Sequence, residues 1–213
     1  MNTSLPTYSR LEDQLNSASH ALGSLLAVIG TAVLLVVAVS TSNPWAVVST
    51  IIYGASVITL FSASAVYHWI TEPTIRRLMQ RFDHIAILYF IAGTFTPFAL
   101  VSLQSVWGWS VFGFVWFCAI TGTIVHLTPL RKYHLFMVFL NLLMGWSALL
   151  IVVPLSQAIE PMGVGMLVAG GITYTLGLVF YLNQRLWLNH FIWHLFVLLG
   201  AILHYFTILF YVF

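Results

Sequence analysis

The sequence predicts an all-α protein, a bundle of seven transmembrane helices, on three observations. Of its 213 residues 61% are apolar and only 6% charged, whereas a soluble domain carries about 25% charge. Mean hydropathy is +0.99. When the uncharged stretches are read as membrane passages, all seven basic residues fall on one side. A soluble globular fold is excluded by the first two observations. An aromatic content of 15% excludes a disordered chain, since such a chain lacks apolar surface to bury. A transmembrane β-barrel would show alternating segments of about ten residues, and here the apolar runs are continuous and rich in Leu, Val, Ile and Phe.

The charged residues divide the chain in order. An apolar helix needs about 20 residues to cross a bilayer. Residues 14–71 and 84–130 carry no charge and are each long enough for two crossings, with turn chemistry midway at Thr41-Ser42-Asn43-Pro44 and from Gln104-Ser105 to Gly108. Residues 133–159, 161–184 and 186–213 each fit one. The seven crossings leave no room for a soluble domain, so residues 1–213 are expected to form a single membrane domain, preceded by a short cytoplasmic segment over residues 1–17. Within it, residues 1–11 contain Pro6 and several Ser and Thr and are expected to be flexible. The apolar run that follows begins only after Ser19 and is longer than the core of a signal peptide.

Arg10 precedes the first crossing, Arg76, Arg77 and Arg81 follow the second, Arg131 and Lys132 the fourth, and Arg185 the sixth. By the positive-inside rule this places the N-terminus in the cytoplasm and the C-terminus outside. The expected location is the plasma (inner) membrane, as a multi-pass protein. Cys118, the single cysteine, lies inside the fourth crossing, so an intrachain disulfide is impossible and a packing role is expected. Pro97 is expected to kink the third crossing, and Ala92-Gly93-Thr94 and Ala169-Gly170-Gly171 read as points of close helix packing.

Ionisable side chains within or beside a crossing are functional candidates, because hydrocarbon offers them no partner. His68 falls in the last turn of the second crossing with Ser64 one turn deeper. Asp83 lies at the same level in the third, His190 and His194 in the first two turns of the seventh, and His20 at the start of the first. Four helices thus bring polar groups to one layer under the cytoplasmic surface. His190 and His194 are four residues apart and project from one helix face about 6 Å apart. Two readings of this pair stand: two imidazoles sharing a metal ion, or two side chains snorkelling to the interface. On the first, Zn2+ suits best, with His68 as third ligand and a fourth position left for water. Asp83 would then serve as general base, and Ser64 would hydrogen-bond the water or a developing oxyanion.

The other histidines carry less. His126 and His134 flank the Arg131-Lys132 loop and read as interfacial. His84 projects about 100° away from Asp83 and reads as loop-facing. His204 stands about 21 Å along the helix from His190, too far for the same ion, and reads as a buried hydrogen-bonded group or part of a passage. Two haems stacked on His190 and His204 would need a matching pair fourteen residues apart on a facing helix, and no crossing supplies one.

Several segments resemble the hemolysin III family: Glu12-Asp13 through Asn16 to Ser19-His20, Ser64-Ala65-Val66-Tyr67-His68, Phe82-Asp83-His84 through Ala92-Gly93-Thr94 to Pro97-Phe98, and His190-Phe191-Ile192-Trp193-His194 through His204-Tyr205-Phe206. That family is the bacterial branch of the progestin and adipoQ receptor family and is similar to the alkaline ceramidases. The resemblance runs from the first crossing to the seventh, in order. It implies a buried zinc near the cytoplasmic face, with Ser64, His68, Asp83, His190 and His194 at the family's motif positions. It assigns no role to Asp13, Asn16, Ser19 or His20.

Two functions compete on these residues. One is a zinc-dependent hydrolase of lipid amide or ester bonds, its substrate an acyl lipid arriving from the inner leaflet. The other is a non-enzymatic sensor or regulator of membrane composition in which zinc ties helices together. A secreted cytolysin fits poorly, because pore-formers are water-soluble before insertion. A transporter is disfavoured because no crossing shows paired Gly and Pro breaks at mid-membrane. Membrane lipids are the expected partners, and nucleic acid is not.

Overall fold

The structure, a computed structural model, describes residues 8–213, apart from the side chains of Arg131 and His134. Most of the flexible segment expected over residues 1–11 therefore lies outside the described residues, as does the interfacial placement expected for the His134 side chain. Among the described residues there is no strand, and seven helical crossings are long and apolar enough to span a membrane. The chain is a multi-pass membrane protein.

Helix α1 runs Arg10–Ser40, 31 residues, or about 46 Å at 1.5 Å per residue. It begins well inside the segment expected to precede the first crossing. The reason is a capping arrangement, Ser9-x-x-Glu12, in which the Ser9 hydroxyl accepts from the Glu12 N–H at 3.1 Å. Helix α2, Pro44–Trp69, starts where Asn43 accepts from the Trp45 N–H and Pro44 occupies the first turn. Helix α3, Pro73–Pro97, is capped by Glu72, whose carboxylate accepts from the N–H groups of Thr74 at 2.9 Å and Ile75 at 2.7 Å.

The irregularity expected at Pro97 takes the form of a π-helical turn over Phe98–Leu103, closed by Gln104 in the left-handed region at φ 38°. Helix α4 follows at Val106–Leu127. The fifth crossing is broken: α5, His134–Trp146, passes into a 3-10 stretch, Ser147–Ile151, and then into the short α6, Val152–Ala158. Pro154 explains the break, since its ring crowds the carbonyl four residues earlier and it donates no hydrogen bond there. This break was not anticipated from the sequence. Helices α7, Pro161–Leu182, and α8, Asn189–Tyr211, complete the bundle.

The closest packing joins α1 to α2, α2 to α3 and α7 to α8, and α8 also lies against α1. Helix α5 rests more sparsely on α3, α4 and α7. One apolar core around Tyr53, Phe61, Phe90 and Val197 binds α1, α2, α3 and α8, and a second around Leu88, Val115 and Met144 binds α3, α4 and α5. Outward-facing residues such as Val36, 73% exposed, and Phe117, 66% exposed, present the apolar surface a bilayer requires. Between the two cores lies a cavity of about 410 Å³, running from Asp83, His190 and His194 down to Tyr174 and His204.

Candidate metal centre

The N-terminal turns of α1, α3 and α8 and the C-terminal turn of α2 meet at the end of the bundle that carries the basic residues. Here the three expected ligands come together. One ring nitrogen from each of His68, His190 and His194 lies within 4.8 Å of the others, and all three residues are buried. The ring centroids are 5.1 Å apart for His68 and His190, 5.0 Å for His68 and His194, and 4.7 Å for His190 and His194. Both α8 rings are buried within the protein, which the snorkelling reading does not account for.

The neighbours of these rings decide which nitrogen is left for a ligand. His68 Nδ1 faces Asp13 Oδ1 at 2.9 Å, and a carboxylate only accepts, so Nδ1 carries the hydrogen. His68 Nε2 is buried without a partner. His194 Nδ1 likewise donates to the backbone carbonyl of Asn16 at 3.2 Å, with the Ser19 hydroxyl at 3.5 Å. A metal-binding imidazole is typically held this way, its second nitrogen anchored to a carboxylate or carbonyl. The donor set and the orphaned Nε2 fit a divalent ion such as zinc, which histidine nitrogens bind well.

Asp13 is itself held by Arg76, which donates through Nη2 to both carboxylate oxygens at 2.8 and 2.9 Å and through Nη1 to the Ile70 carbonyl at 3.2 Å. Arg76 is buried at this point, its charge neutralised by the carboxylate. Glu12 acts on α8 instead: its carboxylate accepts from the His190 N–H at 3.2 Å, supplying across helices the cap that Leu188, in the left-handed region at φ 54°, does not provide. Over this arrangement lies Tyr8, stacked on His190 at 4.7 Å and tilted against His68 at 5.5 Å. Burial pushes the Tyr8 hydroxyl well above its usual range, with Tyr67, Tyr181 and the carboxylates of Glu12 and Asp83 adding to the effect, so the ring stays neutral.

Asp83 and Ser64 are buried in the wall of the same cavity as His190 and His194. The Ser64 hydroxyl is close enough to the Asp83 carboxylate to interact with it. His20 stacks face to face on His194, centroids 3.6 Å apart at 11°, and both its nitrogens are buried and unpartnered. His126, read as interfacial from the sequence, is buried, and its ring lies 5.7 Å from that of His84, both in the cavity wall.

Sequence reasoning left Asp13 and Asn16 without a role and missed Arg76 and Tyr8 altogether. The signal for the first two was the Ser9-x-x-Glu12 cap, which puts Glu12, Asp13, Asn16 and His20 within the first three turns of α1. Arg76 gave no signal that distinguished it from Arg77.

The chain is similar over most of its length to known proteins. Residues 8–205 match the family described as haemolysin-III related. The chain is 35% identical over 201 residues to Hemolysin-3 of Bacillus cereus, covering 94% of this chain and 92% of that one. It is 34% identical over 200 residues to the Hemolysin-3 homolog of Bacillus subtilis (strain 168), covering 94% of each. It is also 30% identical over 207 residues to the human Monocyte to macrophage differentiation factor, covering 92% of this chain and 83% of the relative.

Proposed function

Because the chain belongs to the haemolysin III family, we propose that it is a zinc-binding integral membrane protein of lipid metabolism that hydrolyses an amide or ester bond in an acyl lipid. One observation carries this reading. Three buried imidazoles converge, two of them sharing the wall of a lipid-sized, largely apolar cavity with Asp83, and a purely structural metal would need neither the carboxylate nor the cavity.

His68, His190 and His194 would hold the ion. Its chemistry when bound is that of a Lewis acid, able to make water nucleophilic near neutral pH. Asp83 takes the proton from the attacking water as the water oxygen bonds to the acyl carbon. The same carboxyl then returns that proton to the departing nitrogen or oxygen as the bond breaks. Ser64 orients the Asp83 carboxylate by its hydrogen bond. Asp13, secured by Arg76, keeps Nε2 of His68 turned inward. The apolar cavity receives the acyl chain and excludes water from it. By the distribution of basic residues the site faces the cytoplasm, so the substrate comes from the inner leaflet of the plasma membrane.

A second reading, a non-enzymatic regulator of membrane composition, draws on the ties among helices. Asp13 joins α1 to α2 and α3 through His68 and Arg76, Glu12 and Asn16 join α1 to α8, and an ion would tie α2 to α8 directly. A direct cytolytic role is not proposed, since seven apolar crossings leave no water-soluble form.

Metal analysis of detergent-purified protein, wild type beside a His190→Ala/His194→Ala variant, tests the site. About one zinc per chain, absent from the variant, is expected. Loss of turnover on acyl-lipid amides and esters in Asp83→Ala with zinc retained selects the hydrolase. Retained zinc with no turnover in the wild type selects the regulator.

A further inference from the structure

The cavity has a second polar end that the proposed chemistry does not use. Ten residues along α8 from His194, about 15 Å by helical rise, His204 is buried against Tyr174 of α7, ring centroids 5.3 Å apart at 72°. His204 Nε2 lies 3.1 Å from the Leu167 carbonyl, which can only accept, so in the neutral ring Nδ1 is left as an acceptor. Nδ1 is buried with no partner, and so is the Tyr174 hydroxyl. Both residues line the cavity.

The pairing is built into the helix contact. Each ring lies over a glycine of the opposite helix: a Cβ at Gly170 would collide with the His204 imidazole, and one at Gly200 with the Tyr174 ring. Backbone approach at these two glycines is what lets α7 and α8 seat two large polar rings side by side. The surroundings are apolar, with Val164, Leu167 and Val197 in the adjoining wall. Two polar atoms left unsatisfied in such a place are costly unless something meets them.

We infer that the Tyr174 hydroxyl and His204 Nδ1 form a hydroxyl-binding subsite at the deep end of the cavity, selecting a lipid whose acyl chain carries a hydroxyl in its distal half. A hydroxyl is both donor and acceptor. It donates to His204 Nδ1 and accepts from Tyr174, meeting both atoms with one group. The position follows from depth: with the polar end of the lipid at the histidine cluster, about 15 Å of helix is half the hydrocarbon core of roughly 30 Å, the reach of one acyl chain. An unsubstituted chain fills the space and leaves both atoms unmet. The inference rests on the proposed function in taking an acyl lipid as the occupant.

Competition binding on the detergent-purified full-length chain tests it, with labelled stearic acid displaced by stearic acid or by stearic acid bearing a single hydroxyl in its distal half. The hydroxylated chain is expected to compete about tenfold better on the wild type, the scale of one satisfied buried pair. In Tyr174→Phe, which removes only an unpartnered oxygen, the two chains should compete equally while stearic acid binding persists. His204→Phe is expected to behave alike, and if that variant does not fold Tyr174→Phe decides alone. Equal competition on the wild type, as when a resident water already satisfies the pair, overturns the inference and leaves the proposed function standing. A preference that survives in Tyr174→Phe also overturns it. Absence of saturable stearic acid binding overturns the lipid reading of the cavity, and the subsite with it, independently of the metal content.

Discussion

Asp13 Oδ1 and His68 Nδ1 stand 2.9 Å apart, joining the first turn of α1 to the last turn of α2 across 55 residues of sequence. The contact fixes the imidazole's tautomer as well as its position, and through Arg76 it extends to α3. An ion bound at Nε2 would be sensitive to a residue that never touches it.

Asp13→Asn keeps the shape of this contact and removes its charge, leaving Arg76 buried beside a neutral amide. Zinc affinity, measured by competition with a chelator of known strength, is expected to fall by about 10- to 100-fold, the usual effect of altering a metal ligand's outer partner. An affinity equal to wild type would show that the carboxylate only packs.

Tyr8 covers two of the three ligand rings, so its removal should expose the ion to solvent. Stripping of zinc by a chelator is expected to be several-fold faster in Tyr8→Ala than in the wild type. Tyr8→Phe keeps the stack on His190 and should strip at the wild-type rate. Equal rates in all three proteins would mean that exchange runs by another path.

Gly108, at the start of α4, meets the π-helical turn so closely that an added Cβ would collide with the Ala99 carbonyl oxygen, a backbone atom that cannot swing aside. Gly108→Ala should lower stability by about 1–3 kcal/mol, the typical penalty for overpacking. Gly113, one and a half turns further along, has nothing within 4 Å of that position, and Gly113→Ala should be neutral or stabilising by up to about 1 kcal/mol. Thermal denaturation in detergent compares the two.

Glu72 carries an acid-side prediction. The N–H groups of Ile75 and Thr74 hold its carboxyl below the usual carboxylate range. A group whose value is lowered on folding stabilises the folded state above its unfolded value, about 4.3 for Glu, and that contribution is lost as pH falls through the lower, folded value. The wild type should therefore lose thermal stability more steeply than Glu72→Gln between about pH 5 and pH 3. The difference will be small, since the side chain is fully exposed. Parallel curves would show that Glu72 contributes through its shape alone.

The seven crossings were legible because charge is so scarce that the long uncharged stretches between charged residues mark out the helices. The histidine cluster was legible for a related reason: a histidine in an apolar helix has few innocent explanations, and the spacing of His190 and His194 fixes a shared face. Asp13 was harder. Its role depends on where α1 starts, which a short cap decides and hydropathy does not report. The pairing of Tyr174 with His204 was beyond reach, because it depends on how α7 and α8 are rotated against each other, and that rotation is set by Gly170 and Gly200 acting together. The break in the fifth crossing was present in the sequence as Pro154, but one proline reads the same whether a helix bends or rewinds.

The 3-10 segment gives the fifth crossing extra length. Five residues, Ser147–Ile151, wound at about 2.0 Å per residue in place of 1.5 Å extend the crossing by about 2.5 Å over a continuous α-helix. This increment is comparable to the differences in thickness among biological membranes. Because α5 and its 3-10 continuation form one wall of the cavity, a change in bilayer thickness taken up by rewinding there would alter the shape of the chamber itself.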